Sequence, residues 1–364
     1  MVDVVVIGAG IAGLVCAQQL QSCGYKVAVV EKSRGLGGRV ATRRLYDTRA
    51  DHGACYLSPK EELLGRFVQL LCSRGILQVW TDTVYKYSTT QQLQAAAGSP
   101  RYIAPDGMSA IAKFLATNLE IRLQMRVEAI TPVRAHEPRP LHWHLSFAPS
   151  NTITQPPLTA KAVVMAIPAP QALTILPPLA ETGLPAVFLE QLRCVEFDPC
   201  LSVIAGYPAQ LHQAPDWKAI TFVDDSDLGW IGLDSSKRLE PGQSLLFVLH
   251  SSAEYARLHL EAEDLQPFGR NLLTRASEYL LPWLADPESM QVHRWRYAFP
   301  SHPLQAAFLS TTTPLPLVCC GDWCGGNLIE SAMHSGIAAA EQINLQLDGR
   351  KLSEDHFFDF LSQA

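Results

Sequence analysis

The strongest constraint on this chain lies in its first thirty residues. Val2–Ile7 is a short, β-branched run that leads into Gly8-Ala9-Gly10-Ile11-Ala12-Gly13, and Leu14, Ala17 and Leu20 then recur with helical spacing until Gly24. A run of the first kind forms a buried parallel strand, and a glycine just past a helical pattern stops the helix. Val27–Val30 reads as a second buried strand that finishes at Glu31. Together these make one β-α-β unit of ordinary size. Glycine at positions 8, 10 and 13 lets the turn tighten, lets the backbone approach a pyrophosphate and lets the helix pack close to the strand. The helix start at Ile11 and Ala12 contributes free N–H groups and a partial positive charge. Glu31 stands where a carboxylate accepts ribose hydroxyls, with Lys32 beside it. A carboxylate there repels a ribose 2′-phosphate, so the pattern predicts a dinucleotide without one. It does not separate NAD from FAD.

The rest of the chain narrows the class. At 364 residues it exceeds the usual single core, so two lobes are expected. Hydrophobic residues make up 48%, enough for a large core, and a net charge of −6 without a basic face argues against nucleic-acid binding. Nine scattered cysteines include no Cys-x-x-Cys pair, which speaks against a disulfide framework or a zinc site and for a reducing, cytoplasmic setting. The longest apolar stretch, 162–189, is broken by five prolines, Gln171 and Glu181, so no membrane insertion is expected.

Further along, helices are expected at 61–72, 108–118, 264–279 and 328–347. Strands are expected at 76–87, 101–104, 121–133, 141–147, 163–167, 201–206, 245–250, 292–298 and 316–320. A polar connection is expected at 91–99 and a polar loop at 150–158. Nucleotide-binding features sit at both ends of the chain, which predicts a fold whose ends meet and whose middle forms a second lobe.

The choice between cofactors turns on Gly35-Leu36-Gly37-Gly38-Arg39-Val40-Ala41-Thr42-Arg43. Glycine permits close approach to phosphate, and a guanidinium offers a bidentate partner for it. A β-α-β unit followed directly by Gly-Gly-Arg resembles the FAD-dependent oxidoreductases that include amine oxidases, phytoene desaturases and renalases. Asp51-x-Gly53-Ala54-x-Tyr56 and Gly321-Asp322-Trp323-Cys324-Gly325-Gly326-Asn327-Leu328-Ile329-Glu330 extend the resemblance. It implies that Gly37, Gly38 and Arg39 lie near the FAD pyrophosphate, and that Gly53 and Ala54 lie against the flavin ring. Asp322 would hold a ribityl hydroxyl, the helix start at Asn327 and Leu328 would face the flavin pyrimidine edge, and the Val127 backbone would meet adenine. A helix N-terminus at that edge favours the negative charge of reduced flavin.

Gly107-Met108-Ser109-Ala110-Ile111, Leu249-His250-Ser251-Ser252-x-x-Tyr255 and Trp295-Arg296-Tyr297-Ala298-x-Pro300 look most like renalase and its bacterial and plant relatives. The implied activity is oxidation of 2- and 6-dihydro-NAD(P), with hydride passing to non-covalent FAD and then to dioxygen as hydrogen peroxide. Such a transfer asks for stacking geometry and a dry pocket. Trp295 and Tyr297 are the candidate aromatics and His250 and Arg296 the candidate polar handles, all four carried as catalytic candidates. Each has a plainer reading: a satisfied structural histidine, a core-facing strand face, a surface ion pair. A flavin amine oxidase, a desaturase and a non-catalytic FAD-binding redox sensor are the alternatives. Cys319, Cys320 and Cys324 are expected to pack near the FAD motif rather than attach the flavin.

The implied architecture is a two-lobed α/β flavoprotein. A doubly wound, Rossmann-type FAD lobe would comprise 1–75, 100–180 and 310–364. A substrate lobe with a mixed, largely antiparallel sheet would comprise 76–99 and 181–309.

Overall fold

The computed structural model describes residues 1–45, 48–134, 141–149, 157–176, 183–239, 244–351 and 356–363. The loop expected at 150–158 lies outside the described residues up to position 156.

Two sheets organise the chain. The first has its parallel centre in the order Glu120–Arg122, Val27–Val30, Val2–Ile7, Leu158–Met165, Leu317–Cys319, with Leu309–Thr311 antiparallel at one edge. Strands near residues 2, 28, 121, 163 and 318 thus lie side by side, so the two chain ends do meet in one sheet. Val4 and Val6 enter one core and Val5 and Ile7 the other, which is why this strand is apolar on both faces. Helices Ile11–Ser22 and Ile329–Gln346 pack together on one face. A Cβ on Gly336 would sit 2.5 Å from the Ala12 carbonyl oxygen, so only glycine permits that approach. The opposite face carries Ala169–Ile175, Ala186–Arg193 and the antiparallel pair Val127–Arg134 and Leu141–Phe147.

The second sheet has seven strands, in the order Ser289–His302, Glu196–Pro208, Ser244–Ser251, Leu228–Leu233, Ala219–Phe222, Gln78–Ser88, Gln92–Ile103. All neighbours are antiparallel except Ala219–Phe222 with Gln78–Ser88. One face packs under helices Ala253–His259 and Gln266–Tyr279 through Leu201, Val203, Leu249 and Leu272. The other, with Ile204, Trp230, Leu246 and Val248, faces the core of the first lobe. No described helix is long and apolar enough to cross a membrane.

Three expectations are corrected. The connection expected at 91–99 is the strand Gln92–Ile103, since alternation of small and polar residues suits an exposed edge strand as well as a loop. The strand expected at 121–133 is two, Glu120–Arg122 and Val127–Arg134, which pair with different neighbours, Val27–Val30 and Leu141–Phe147. Ala219–Phe222 and Leu228–Leu233, with no expected counterpart, fill the middle of the second sheet.

Candidate functional site

The glycine turn is built as its spacing requires. Gly8 has φ +107°, and its N–H donates to the Val30 carbonyl at 2.8 Å. A Cβ on Gly13 would lie 2.1 Å from the Gly8 carbonyl oxygen, whereas a Cβ on Gly10 would meet nothing within 4 Å. The turn is therefore closed where helix meets strand and open above Gly10, which is the shape a phosphate needs. Glu31 is drawn against this turn: its two carboxylate oxygens accept from the Ala9 N–H at 2.9 Å and the Ser33 N–H at 2.8 Å. The Met125 N–H donates to the Glu31 backbone carbonyl, two residues before the buried Val127 begins its strand. Lys32 is exposed and reaches outward to Gln171 Oε1 at 3.5 Å.

The Gly-Gly-Arg segment folds back onto the turn. The Gly37 N–H donates to the Ala9 carbonyl at 2.9 Å, Gly37 pairs with Gly10, and both Gly37 (φ +108°) and Gly38 (φ +54°) adopt left-handed backbone that glycine takes without strain. Arg39 and Asp322, 283 residues apart, form a two-pronged ion pair at 2.6 and 2.7 Å, and Arg39 Nη1 also donates to the Ala298 carbonyl at 3.2 Å. One guanidinium thus joins the N-terminal motif, the C-terminal motif and the long strand of the second sheet. The Ala54 N–H donates to the Arg39 carbonyl at 2.7 Å, and a Cβ on Gly53 would lie 2.0 Å from that oxygen and 3.3 Å from the Trp295 ring. Asp322 is buried, while Asn327 and Leu328 are exposed ahead of helix Ile329–Gln346, whose start has no side-chain cap. These open donors and close-packed glycines fit a dinucleotide that runs from Glu31 across Gly10 to the Asp322 end.

At that end the first lobe meets one face of the second sheet. Cross-strand register aligns His293, Ser202, His250 and Trp230 in a row, with Trp295 opposite Cys200 in the next. His52, which precedes Gly53, drops onto this face. Its ring stacks on Trp295 at 5.3 Å and meets His293 edge-on at 4.8 Å, and its carbonyl accepts from Trp295 Nε1 at 2.9 Å and from His250 Nε2 at 3.3 Å. Because His250 donates through Nε2, its neutral ring keeps Nδ1 as an acceptor. Burial pushes both His52 and His250 down to about 4, helped for His52 by His293, Arg43 and His250 and for His250 by Lys237; burial and Arg43 also lower His293. The cluster is neutral at physiological pH.

That has a measurable consequence. An unfolded histidine titrates near 6.5, so between about 6.5 and 4 the unfolded chain takes up protons that the folded cluster refuses. Stability is expected to be flat above this window and to fall as pH drops through it. Melting temperature recorded from pH 8 to 4.5 checks this, with a His250→Gln variant showing a shallower fall. A wild-type melting temperature that does not move down to pH 4.5 would refute it.

The other two candidates do not join the cluster. Arg296 points to the opposite face and is paired with exposed Glu261. Tyr297 packs edge-on against Phe197 at 5.6 Å. Beneath the His52 loop lies a cluster that sequence reasoning missed. Lys237 Nζ contacts Asp234 at 2.5 Å and Asp51 at 3.4 Å, and Arg238 contacts the same carboxylates at 2.6 and 3.2 Å. Asp51 also accepts from Thr42 Oγ1 at 2.7 Å and the Met108 N–H at 2.8 Å. Burial alone would raise the Asp51 carboxyl, but Lys237, Arg238 and these hydrogen bonds outweigh it and hold it below the usual range. Asp234, Lys237 and Arg238 at i, i+3 and i+4 look in sequence like an ordinary solvated charge run. His52 was the unassigned x of Asp51-x-Gly53, and His293 carried no motif at all.

The profile of the family described as flavin containing amine oxidoreductase matches residues 60–344, and that of the NAD(P)-binding Rossmann-like domain matches residues 6–71. The chain belongs to the flavin-containing amine oxidoreductase family. Its cofactor is FAD, and the thiols nearest the C-terminal motif do not suit covalent attachment: Cys319, Cys320 and Cys324 are buried, and burial raises all three, Cys324 to about 12. Over 61 residues the flavoprotein is 43% identical to a flavin-containing monoamine oxidase, AofH, of Mycobacterium tuberculosis, a stretch that spans 17% of this chain and 13% of that protein. Over 66 residues it is 39% identical to an L-amino-acid oxidase of Crotalus adamanteus, covering 18% and 13%. The chain thus matches about an eighth of the length of these curated relatives. Among solved structures it is similar to a protein from Exiguobacterium assigned as a protoporphyrinogen oxidase, with TM-score 0.70, 13% identity and coverage of 94% of this chain and 99% of that one. Cyclohexylamine oxidase from Brevibacterium oxydans gives TM-score 0.67, 14% identity and coverage of 95% and 99%. These two establish the two-lobed α/β fold.

Proposed function

We propose that this flavoprotein is an oxidase of substrates that carry a neutral, planar dihydropyridine ring, with 2- and 6-dihydro isomers of NAD(P) as the class the site suits best and dioxygen as the acceptor. FAD supplies the two-electron acceptor and passes its electrons on to dioxygen, giving hydrogen peroxide. On this reading Gly8, Gly10, Ile11, Ala12, Gly13, Glu31, Lys32, Gly37, Gly38, Arg39, Gly53, Ala54, Val127, Asp322, Asn327 and Leu328 line the FAD path. His250 and Trp295 act at the substrate end, while Tyr297, against Phe197, and Arg296, paired with Glu261, stand outside it. The segments 1–75, 100–180 and 310–364 would form the FAD lobe and 76–99 and 181–309 the substrate lobe.

The observation that carries the reading is the neutral histidine–tryptophan cluster over the Gly53 position. An amine is protonated at neutral pH and must shed that proton before it gives up hydride. Imidazoles that titrate near 4 are poor bases for an ammonium group. The nearby Asp51 carboxylate is already engaged by Lys237, Arg238, Thr42 and Met108. A dihydropyridine needs no base, because loss of hydride leaves an aromatic cation. It needs a flat, dry surface, which Trp295 and His52 provide.

Family membership favours one competing reading, an amine oxidase. Anaerobic bleaching of the flavin band separates the two. The 2- and 6-dihydro isomers are expected to bleach it at least about 100-fold faster than 4-dihydro-NAD(P)H or simple primary amines. Rapid bleaching by amines alone would overturn the proposal, and no bleaching by any of them would point to a non-catalytic role.

A further inference from the structure

Three neighbours of His293 each carry a buried polar side-chain atom without a hydrogen-bond partner among the described residues. Ser202, its cross-strand neighbour, is fully buried and leaves Oγ unpaired. His52, whose ring meets that of His293 at 4.8 Å, is 6% exposed and leaves Nδ1 unpaired. Gln291, two residues along the same strand and so on the same face, leaves Oε1 unpaired. A buried polar atom without a partner costs roughly 1–3 kcal/mol, so three around one ring call for a matching ligand group. Gln291 Oε1 can only accept, the Ser202 hydroxyl can donate or accept, and no ionised side chain belongs to the group. Ser202 is opposite His293 and Gln291 opposite Ile204, so Ser202 and Gln291 are diagonal neighbours on one sheet face, roughly 7–8 Å apart at the backbone, a gap that their side chains and one planar amide span with its carbonyl on one side and its N–H on the other.

We propose that Gln291, Ser202 and His52 form a carboxamide-recognition subsite, in which Gln291 accepts from the amide N–H and Ser202 donates to the amide carbonyl. The inference rests on the preceding reading of the substrate and adds to it: the specificity group is the ring carboxamide. An alkyl ammonium offers no acceptor for the Ser202 hydroxyl.

The FAD-loaded full chain can be titrated with nicotinamide and with 3-acetylpyridine, which keeps the carbonyl but replaces NH2 by methyl, with displacement of the flavin absorption band as the readout. One net hydrogen bond is worth about 1 kcal/mol, roughly fivefold. Nicotinamide is therefore expected to bind about fivefold or more tightly than 3-acetylpyridine. Gln291→Met should abolish that preference by weakening nicotinamide alone, and Ser202→Ala should weaken both ligands about equally. Equal affinities in the wild type, or a preference that survives Gln291→Met, would overturn the proposal. Because these ligands are not oxidised, a preference for nicotinamide stands even where the dihydro isomers fail to bleach the flavin, so the two readings fail separately.

Discussion

Replacing Lys237 by methionine is expected to cost about 3–5 kcal/mol of stability at neutral pH. Methionine retains most of the apolar stem but removes the cation that lies between Asp234 and Asp51, all three side chains being fully buried. Two carboxylates would then share Arg238, and one buried negative charge would be uncompensated. The cheapest relief is to take up a proton, so the folded variant binds more protons than its unfolded chain. Its deficit should therefore shrink as pH falls towards 5. Chemical denaturation of both proteins at pH 7.5 and 5.5 tests the size and the sign together. A loss under 1 kcal/mol at pH 7.5 would show that the network is slack. Asp51 also receives the Met108 N–H and the Thr42 hydroxyl, and Cys55 Sγ donates to its carbonyl at 3.1 Å. Displacement of Asp51 would accordingly move the loop that carries His52 and Gly53.

Gly53→Ala is expected to give a folded but colourless protein. The added methyl would start 2.0 Å from the Arg39 carbonyl oxygen, far inside van der Waals contact, with the Trp295 ring 3.3 Å away on another side. Neither neighbour is a free side-chain end. Arg39 is fixed by Asp322 and by the Ala298 carbonyl, and Trp295 Nε1 is bonded to the His52 carbonyl. Relief must move the Arg39 backbone, break the 2.7 Å Ala54 to Arg39 hydrogen bond and tilt the guanidinium from Asp322. Affinity for FAD should fall at least about 100-fold, given some 3 kcal/mol from one lost charge-assisted pair. Absorbance at the flavin band relative to 280 nm reads this out, with far-ultraviolet circular dichroism to confirm the fold. Gly65→Ala is the control, since a Cβ there meets nothing within 4 Å. A Gly53→Ala protein that keeps full flavin occupancy would remove this segment from the cofactor site.

The cofactor cradle was the most legible part of the chain because its information is local. Gly8, Gly10 and Gly13 matter through backbone geometry within six residues, and Glu31 reaches the turn from the end of the adjacent strand. The site beyond the cradle was less legible. His250 and Trp295 are named from a resemblance, but their placement depends on His52, whose carbonyl accepts from both and whose ring stacks on Trp295. Arg296 could not be separated from them by spacing alone; the opposite strand face and the Glu261 partner did that. The strand Gln92–Ile103 was missed because an edge strand open to solvent has no apolar alternation to show.

By itself, then, the sequence determined the dinucleotide turn, the FAD-type Gly-Gly-Arg segment and the partition into two lobes. The turn follows from steric and charge requirements among neighbouring residues, the FAD-type segment from its resemblance to FAD-dependent oxidoreductases, and the two lobes from chain length and the motifs at both ends. Tertiary structure alone decided that Arg39 grips Asp322 across 283 positions, that Asp51 is neutralised by Lys237 and Arg238, and that His52, His250, His293 and Trp295 come together. The reason is physical. A buried charge or an uncharged histidine is defined by what surrounds it, and those surroundings come from strands that only sheet pairing brings together.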